Sequence, residues 1–379
     1  MIHQCLRFSL FIVIVIFLLF IVNKLTFRES FASEFSQFFT NDKHIKYPKY
    51  KTKKGCIFVS VASYRDFECS NTINSLFENA NKPHKIYIGI CSQNSSVSNE
   101  ECLSKDLKYP NNVRIHRLKH TDALGPTYAR YLCSHLWEGE EYYLQIDSHM
   151  IFNKNWDKTM IDMYQELPHN KCAFTTYPPD YGNKTNKASF TCSSHFDNIN
   201  HQQGTFDIIS EAQLRYEQNA QITPYFSAGF FFSKSNFLYD VPYDPYLPYL
   251  FQGEEPLMAI RLYTNGWDLY NPPKPVCVHN YVNNKEQNAA SKKPKFWSDN
   301  SHNNHAKIQI ESKKRYLKII GQDVQCKPEF LKHIDYYGLG NIRSVEEYFD
   351  FAGINMKNKT VTSRCKTKWV PNLKKWESR

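Results

Sequence analysis

Tyr142-Tyr143-Leu144-Gln145-Ile146-Asp147-Ser148-His149 is the stretch that decides the fold. Its first five residues are apolar or aromatic except for Gln145, which reads as a short buried strand. Open α/β sheets place their ligand sites at the carboxyl ends of such strands. Asp147 and His149 therefore leave the strand together. Positions i and i+2 of an extended chain point to one side, so a carboxylate oxygen and an imidazole nitrogen can reach one divalent cation. Asp-x-His also arises by chance, and the pair takes its weight from its surroundings.

Working outward, Cys56–Ala62 is a strand, followed by Ser63-Tyr64-Arg65-Asp66 and a helical stretch through Thr72-Ile73 and Leu76-Phe77. Further strands are expected at Lys85–Cys91 and Val113–Leu118, with a helix over Thr127–Leu136 that leads into the Asp147 strand. This alternation predicts a mostly parallel sheet with helical crossovers. Beyond His149 a helix is expected over Trp156–Leu167 and a strand at Ala173–Tyr177. Asp180–Ser210 reads as loop and irregular β structure, and Tyr225–Ser233 as another apolar segment. A helix then runs through Arg261-Leu262-Tyr263, a strand Val276–Val278 ends at His279, residues 283–304 form a polar loop, and a basic helix spans His305–Ile320.

The formal charge of the 379 residues is +10, but it is unevenly spread. Residues 1–54 hold nine Lys/Arg against three acids and residues 360–379 six against one, which leaves −1 for the stretch between. A nucleic-acid binder carries its basic stripe on the folded body, so that partner class is excluded.

Phe8–Val22 is apolar apart from Ser9, and with Leu25 as its outer limit it predicts a transmembrane signal-anchor over residues 8–25. A short tail (1–7) precedes it and a polar stem (26–54) follows. The competing reading is a cleaved leader with Ser30-Phe31-Ala32 as the small-x-small site. Ten of eleven cysteines lie beyond the apolar run, an even number that an oxidising lumen could pair. Cys91 and Cys277 sit inside strand-like runs and read equally well as buried small hydrophobes. Asn94, Asn183 and Asn358 head glycosylation sequons.

The chain has neither G-x-x-x-x-G-K-[ST] nor G-x-G-x-x-G after its first strand, so phosphates need another holder. A divalent metal on Asp147 and His149 would serve as the Lewis acid for a departing diphosphate. His279 is a third ligand in prospect or, read plainly, a structural histidine. Glu254 and Glu255 are helix-dipole partners or acceptor-side groups. Arg65 and Asp66 are a base- or ribose-recognising pair or a surface ion pair, and Arg130 follows Asp122 at a spacing that could bring it to the diphosphate.

Six motifs in order resemble one family: Val61-Ala-Ser-Tyr-Arg-Asp66, Asp122-Ala-Leu-Gly-Pro-Thr-Tyr-Ala-Arg130, Gln145-Ile-Asp-Ser-His-Met150, Ser227-Ala-Gly-Phe230, Gly253-Glu-Glu255 and Tyr337-Gly-Leu-Gly-Asn-Ile-Arg343. They are similar to those of the polypeptide α-N-acetylglucosaminyltransferases that modify hydroxyproline or mucin Thr. The resemblance spans roughly residues 55–355 and implies a GT-A glycosyltransferase fold, a Rossmann-like mixed sheet flanked by helices, in a catalytic domain at 55–282 with a C-terminal extension at 283–379 packed on it. It further implies UDP-GlcNAc as donor, Mn²⁺ or Mg²⁺, and retention of configuration. The Asp-Ser-His element is also similar to that of the polypeptide GalNAc-transferases, where a later His completes the metal site, which puts His279 beside Asp147 and His149. Arg65, Asp66, Asp122 and Arg130 become donor-site residues, and Glu254 or Glu255 acceptor-side catalytic residues. The expected activity is GlcNAc transfer to a Ser, Thr or hydroxyproline hydroxyl of a polypeptide, with the domain in the secretory-pathway lumen. Another UDP-sugar acting on a glycan acceptor, or a non-catalytic carbohydrate-binding surface glycoprotein, are the alternatives.

Overall fold

The structure, a computed structural model, describes residues 42–96, 100–182, 185–197, 205–281, 293–299 and 303–379. The expected anchor, the cleavage alternative, most of the stem and the Asn183 sequon lie outside these residues. Among the described residues no helix is long and apolar enough to cross a membrane.

Residues 46–379 form one compact unit. Its frame is an eight-stranded sheet built from β1 (Lys53–Tyr64), β2 (Ile86–Asn94), β3 (Val113–Lys119), β4 (Glu140–Asp147), β6 (Cys172–Thr175), β9 (Gln221–Thr223), β10 (Phe230–Lys234) and β11 (Asp268–Asn271). The spatial order is β3-β2-β1-β4-β10-β6-β11-β9. β1 to β4 are mutually parallel, β10 runs antiparallel to both β4 and β6, and β9 antiparallel to β11. The parallel half is as expected; the far half makes the sheet mixed.

β1 shows why the sheet is covered on both faces. Ile57, Val59 and Val61 alternate with Phe58, so one side of the strand packs under α1 (Cys69–Glu78) and α3 (Trp156–Gln165), while Phe58 joins Tyr143, Phe237 and Trp267 on the other. α2 (Pro126–Ser134) connects β3 to β4. The chain lays down β1, β2 and β3 outward in one direction and then returns to place β4 on the opposite side of β1. That reversal opens a crevice at the carboxyl ends of β1 and β4, where the register sets Ala62 against Asp147.

Two further elements complete the frame. Ala188–Asp197 (β7) and Asp207–Arg215 (β8) form a long antiparallel pair, where loop and irregular β structure were expected. Its periodicity is masked by small polar residues that are buried: Thr191, for example, donates its N–H to Asn271 Oδ1 (3.1 Å) and accepts from Asn271 Nδ2 at its hydroxyl (3.4 Å). The second is the ribbon of β5 (Met150–Phe152) and β12 (Cys277–His279), with His279 opposite Met150. The expected Val276–Val278 strand thus pairs with β5, the strand that follows His149 directly.

The later chain belongs to the same body. α4 (Glu254–Thr264), α5 (Phe296–Asp299), α6 (Asn303–Ile319) and α7 (Val345–Ala352) follow in order, and Tyr316, Leu317, Ile320 and Tyr348 share a core with Phe58 and Phe231. α5 lies inside the 283–304 stretch read as loop. Near the start, Tyr47 is buried, stacks on His135 and bonds Ser134 (2.6 Å). Disulfides join Cys69 to Cys102 and Cys192 to Cys365, and Cys91 and Cys277 are free and buried.

Candidate functional site

The crevice at the strand reversal is a cavity of about 590 Å³, a volume suited to a small-molecule ligand. Asp66, Arg130, Asp147, His149, Glu254, Glu255 and His279, all expected site residues, line it. Arg65 and Asp122 do not. Arg65 stands beyond β1 at a φ of 46° and turns its guanidinium to Glu100 (2.9 Å) and Asp299 (2.7 Å), while Asp122 is exposed in a short 3₁₀ turn. Of these two expected donor-site residues, the first is ion-paired and the second lies at the surface.

Asp147 closes β4, and a bend at Ser148-His149 replaces the extended i, i+2 geometry that the sequence suggested. The result is the expected convergence by a different local route. One ligand atom each from Asp147, His149 and His279 lies within 4.8 Å of the others. His279 Nε2 faces Asp147 Oδ2 at 3.2 Å, and the two imidazole rings meet edge-on with centroids 4.6 Å apart. The pairing of β12 with β5 brings His279 across 132 residues of sequence to this point.

The donor set is one carboxylate and two imidazoles. The space beside it is kept by Gly229, where a Cβ would stand 2.9 Å from Asp147 Oδ2. His279 Nδ1 is buried with no hydrogen-bond partner among the described residues. Oxygen and imidazole nitrogen ligands with open positions fit a divalent ion such as Mn²⁺, and these three residues would hold it.

Arg130 organises the carboxylates. Fully buried on α2, it donates to Asp147 Oδ1 (3.1 Å) and to Glu254 Oε2. Its guanidinium pairs with these two protein carboxylates, while its Nε is buried with no hydrogen-bond partner among the described residues. Burial alone would raise the Asp147 carboxyl, but the His279 hydrogen bond and the Arg130 charge hold it well below the usual range. Glu254 moves the other way: burial raises it against the opposing pull of Arg130.

Glu255 has a different environment. It accepts from Tyr177 OH and from Ala228 N–H (2.9 Å), and burial pushes its carboxyl up to about 7 despite both hydrogen bonds. Asp66 is buried at the end of β1. Burial would raise it, yet His149 and Lys293 bring it down to about 2.

Lys293, Tyr177, Tyr64, Gln93 and Gly229 also line the cavity and had not been singled out as site residues, although Tyr64 and Gly229 lay in quoted motifs. Lys293 had no distinguishing signal, being one of several lysines in a polar stretch; Tyr177 stood at the end of an expected strand, which was its only cue.

The chain matches a protein-family model described as glycosyltransferase (GlcNAc) over residues 56–111 and 105–358. No curated protein matches it. Among solved structures, it is similar to GalNAc-T7 in a crystal structure with UDP, GalNAc and Mn²⁺, at 12% identity and a TM-score of 0.51, covering 80% of this chain and 60% of that one. It also aligns with S. aureus TarS 1–349 in complex with UDP-GlcNAc, at 15% identity and a TM-score of 0.42, covering 80% and 77%. The GalNAc-T7 likeness is one of fold and agrees with the expected mixed α/β GT-A sheet. The chain spans three-fifths of that protein's length.

Proposed function

The chain belongs to the GlcNAc glycosyltransferase family, and from that premise we propose that it moves GlcNAc from UDP-GlcNAc to a Ser, Thr or hydroxyproline hydroxyl of a polypeptide, with a divalent cation as cofactor. The observation that carries the reading is the meeting of Asp147, His149 and His279 at the cavity where the strand order reverses. When bound there, Mn²⁺ or Mg²⁺ supplies a Lewis acid for the negative charge of a nucleoside diphosphate.

The chain's own groups do the rest. Arg130 fixes Asp147 through one oxygen and leaves the other toward His279. Glu254 is neutralised by Arg130 and makes a poor nucleophile, which agrees with front-face transfer and retention. Glu255, whose ionisation falls near neutrality and whose partners are uncharged, is the better placed to accept a hydrogen bond from the acceptor hydroxyl. Phe251 and Trp297, partly exposed and edge-to-face at 5.4 Å, give the cavity mouth an apolar surface that suits a peptide chain.

Two disulfides are consistent with a lumenal domain, held by the apolar run at 8–25 to a secretory-pathway membrane. The test is incubation of the full chain with UDP-GlcNAc, Mn²⁺ and Thr- or hydroxyproline-containing peptides. The expected product is a peptide heavier by one GlcNAc, with Asp147→Asn reducing transfer about a thousandfold, the equivalent of about 4 kcal/mol. Absence of UDP release from every UDP-sugar would defeat the proposal. Turnover of UDP-GalNAc or UDP-glucose alone would move it to another donor, and glycan binding that needs neither UDP nor metal would favour the non-catalytic alternative.

A further inference from the structure

Asp66 is surrounded by donors from its own chain. It is 3% exposed just beyond β1, on the cavity wall. Its Oδ2 accepts from His149 Nδ1 (2.7 Å), Ser148 Oγ (2.8 Å) and the Lys293 ammonium (3.3 Å); its Oδ1 accepts from Glu68 N–H (2.9 Å) and lies 3.0 Å from the same ammonium. Four donors from the protein thus surround the carboxylate, where the sequence had suggested a ribose or a base.

We propose that Asp66 is a positioning residue: by accepting the Nδ1 proton of His149 it fixes that ring in one tautomer and presents Nε2, unprotonated, as the metal-ligating atom. This deepens the reading of Asp147, His149 and His279 as a metal centre and rests on it. An ionised carboxylate accepts only, so the nitrogen facing it carries the hydrogen. A neutral imidazole has one N–H, and the remaining nitrogen holds the lone pair. Metal-bound histidines commonly give their second nitrogen to a carboxylate in this way. Ser148 and Lys293 hold Asp66 in turn. Lys293 also pairs with Glu68, so the ammonium balances the carboxylates that crowd this wall. The support reaches one ring only, since His279 Nδ1 has no partner among the described residues.

The experiment reads the tautomer directly. Nitrogen-15 imidazole spectra of the metal-free full chain in alkaline buffer, with His149→Gln for assignment, are expected to show His149 protonated at Nδ1. Asp66→Asn turns an N–H toward that ring, as an Asp-to-Asn change does where a carboxylate orients a catalytic histidine. The proton is then expected at Nε2, and Mn²⁺ affinity, followed by the electron paramagnetic resonance of free Mn²⁺, is expected to fall about 10- to 100-fold. Circular dichroism checks that the variant is folded, and if it is not, the wild-type tautomer decides alone. A wild-type His149 protonated at Nε2, or an Asp66→Asn protein that binds Mn²⁺ as tightly as wild type, overturns the proposal. Failure of the wild type itself to bind Mn²⁺ would instead sink the metal reading, while the spectra still judge the hold of Asp66 on the ring.

Discussion

His149 and His279 reach the same point by unlike routes. His149 arrives on the chain that leaves β4, two residues after Asp147, and its ring is fastened by the Asp66 carboxylate at 2.7 Å. His279 arrives on a three-residue strand paired with β5, faces Asp147 at 3.2 Å, and has a buried Nδ1 without a partner among the described residues. Local sequence delivers the first, and a carboxylate 83 residues away orients it. Backbone pairing delivers the second, whose ring meets Asp147 through Nε2 and has no partner among the described residues at Nδ1. Ionisation points the same way: desolvation lowers His279 against the lift from Asp147, in the direction of the neutral form that metal binding needs.

The largest effect that can break this comparison is removal of either ring. His149→Ala and His279→Ala are each expected to weaken Mn²⁺-dependent transfer by more than about a hundredfold, the upper end of what an outer-shell partner costs. Mn²⁺ titration with steady-state kinetics checks both. If His279→Ala kept its metal affinity while His149→Ala lost it, the ribbon would carry only a structural histidine and the two routes would not share a ligand set.

A smaller effect extends the comparison to two neighbouring carboxylates. Glu254 is tied to Arg130, whereas Glu255 is held by a hydroxyl and a backbone N–H, and burial raises its carboxyl to about 7. Ionised Glu255 is the form that accepts from a hydroxyl, so transfer is expected to climb as pH rises through 7. Glu255→Gln should cost about tenfold and flatten that limb in a pH–rate profile. The stability sign is opposite. A carboxyl raised in the folded state binds its proton more tightly there than in the unfolded chain, so its contribution declines as pH rises from the ordinary 4.5 toward 7 and is level above that. Thermal melts across this range should show Glu255→Gln without the decline.

How much of this was legible in sequence follows the same division. The parallel strands, the Asp147 strand end and the three candidate ligands could be read because apolar runs end abruptly at polar residues, and a resemblance supplied the link between Asp147 and His279. What escaped depends on three-dimensional pairing. β7 and β8 were hidden because Ser189, Thr191, Ser193 and Ser194 are polar by type yet buried. Asp66 read as a ligand-binding residue because its four donors come from places as distant as Ser148 and Lys293. Arg65 and Asp122 matched family motifs, but no spacing rule shows that Glu100 and Asp299 claim the first and that the second stays at the surface.

The finest test of the two routes is a single methyl group. Gly229 precedes β10, and a Cβ on it would lie 2.9 Å from Asp147 Oδ2, the oxygen that faces His279 and not the one held by Arg130. That separation is too short for an ordinary contact, and the atom that must yield is the end of a side chain, so the fold can absorb the change by turning the carboxylate. An off-rotamer turn costs about 0.5–1.5 kcal/mol, which corresponds to a loss of roughly two- to tenfold in affinity. Gly229→Ala is therefore expected to weaken Mn²⁺ binding by about that factor with little change in melting temperature. Because the strain falls on the Asp147–His279 arm, the nitrogen-15 signals of His149 should keep their wild-type tautomer. A shift in the His149 tautomer would mean that the two arms are one rigid unit, and that the difference in how their rings are held has no consequence for the metal.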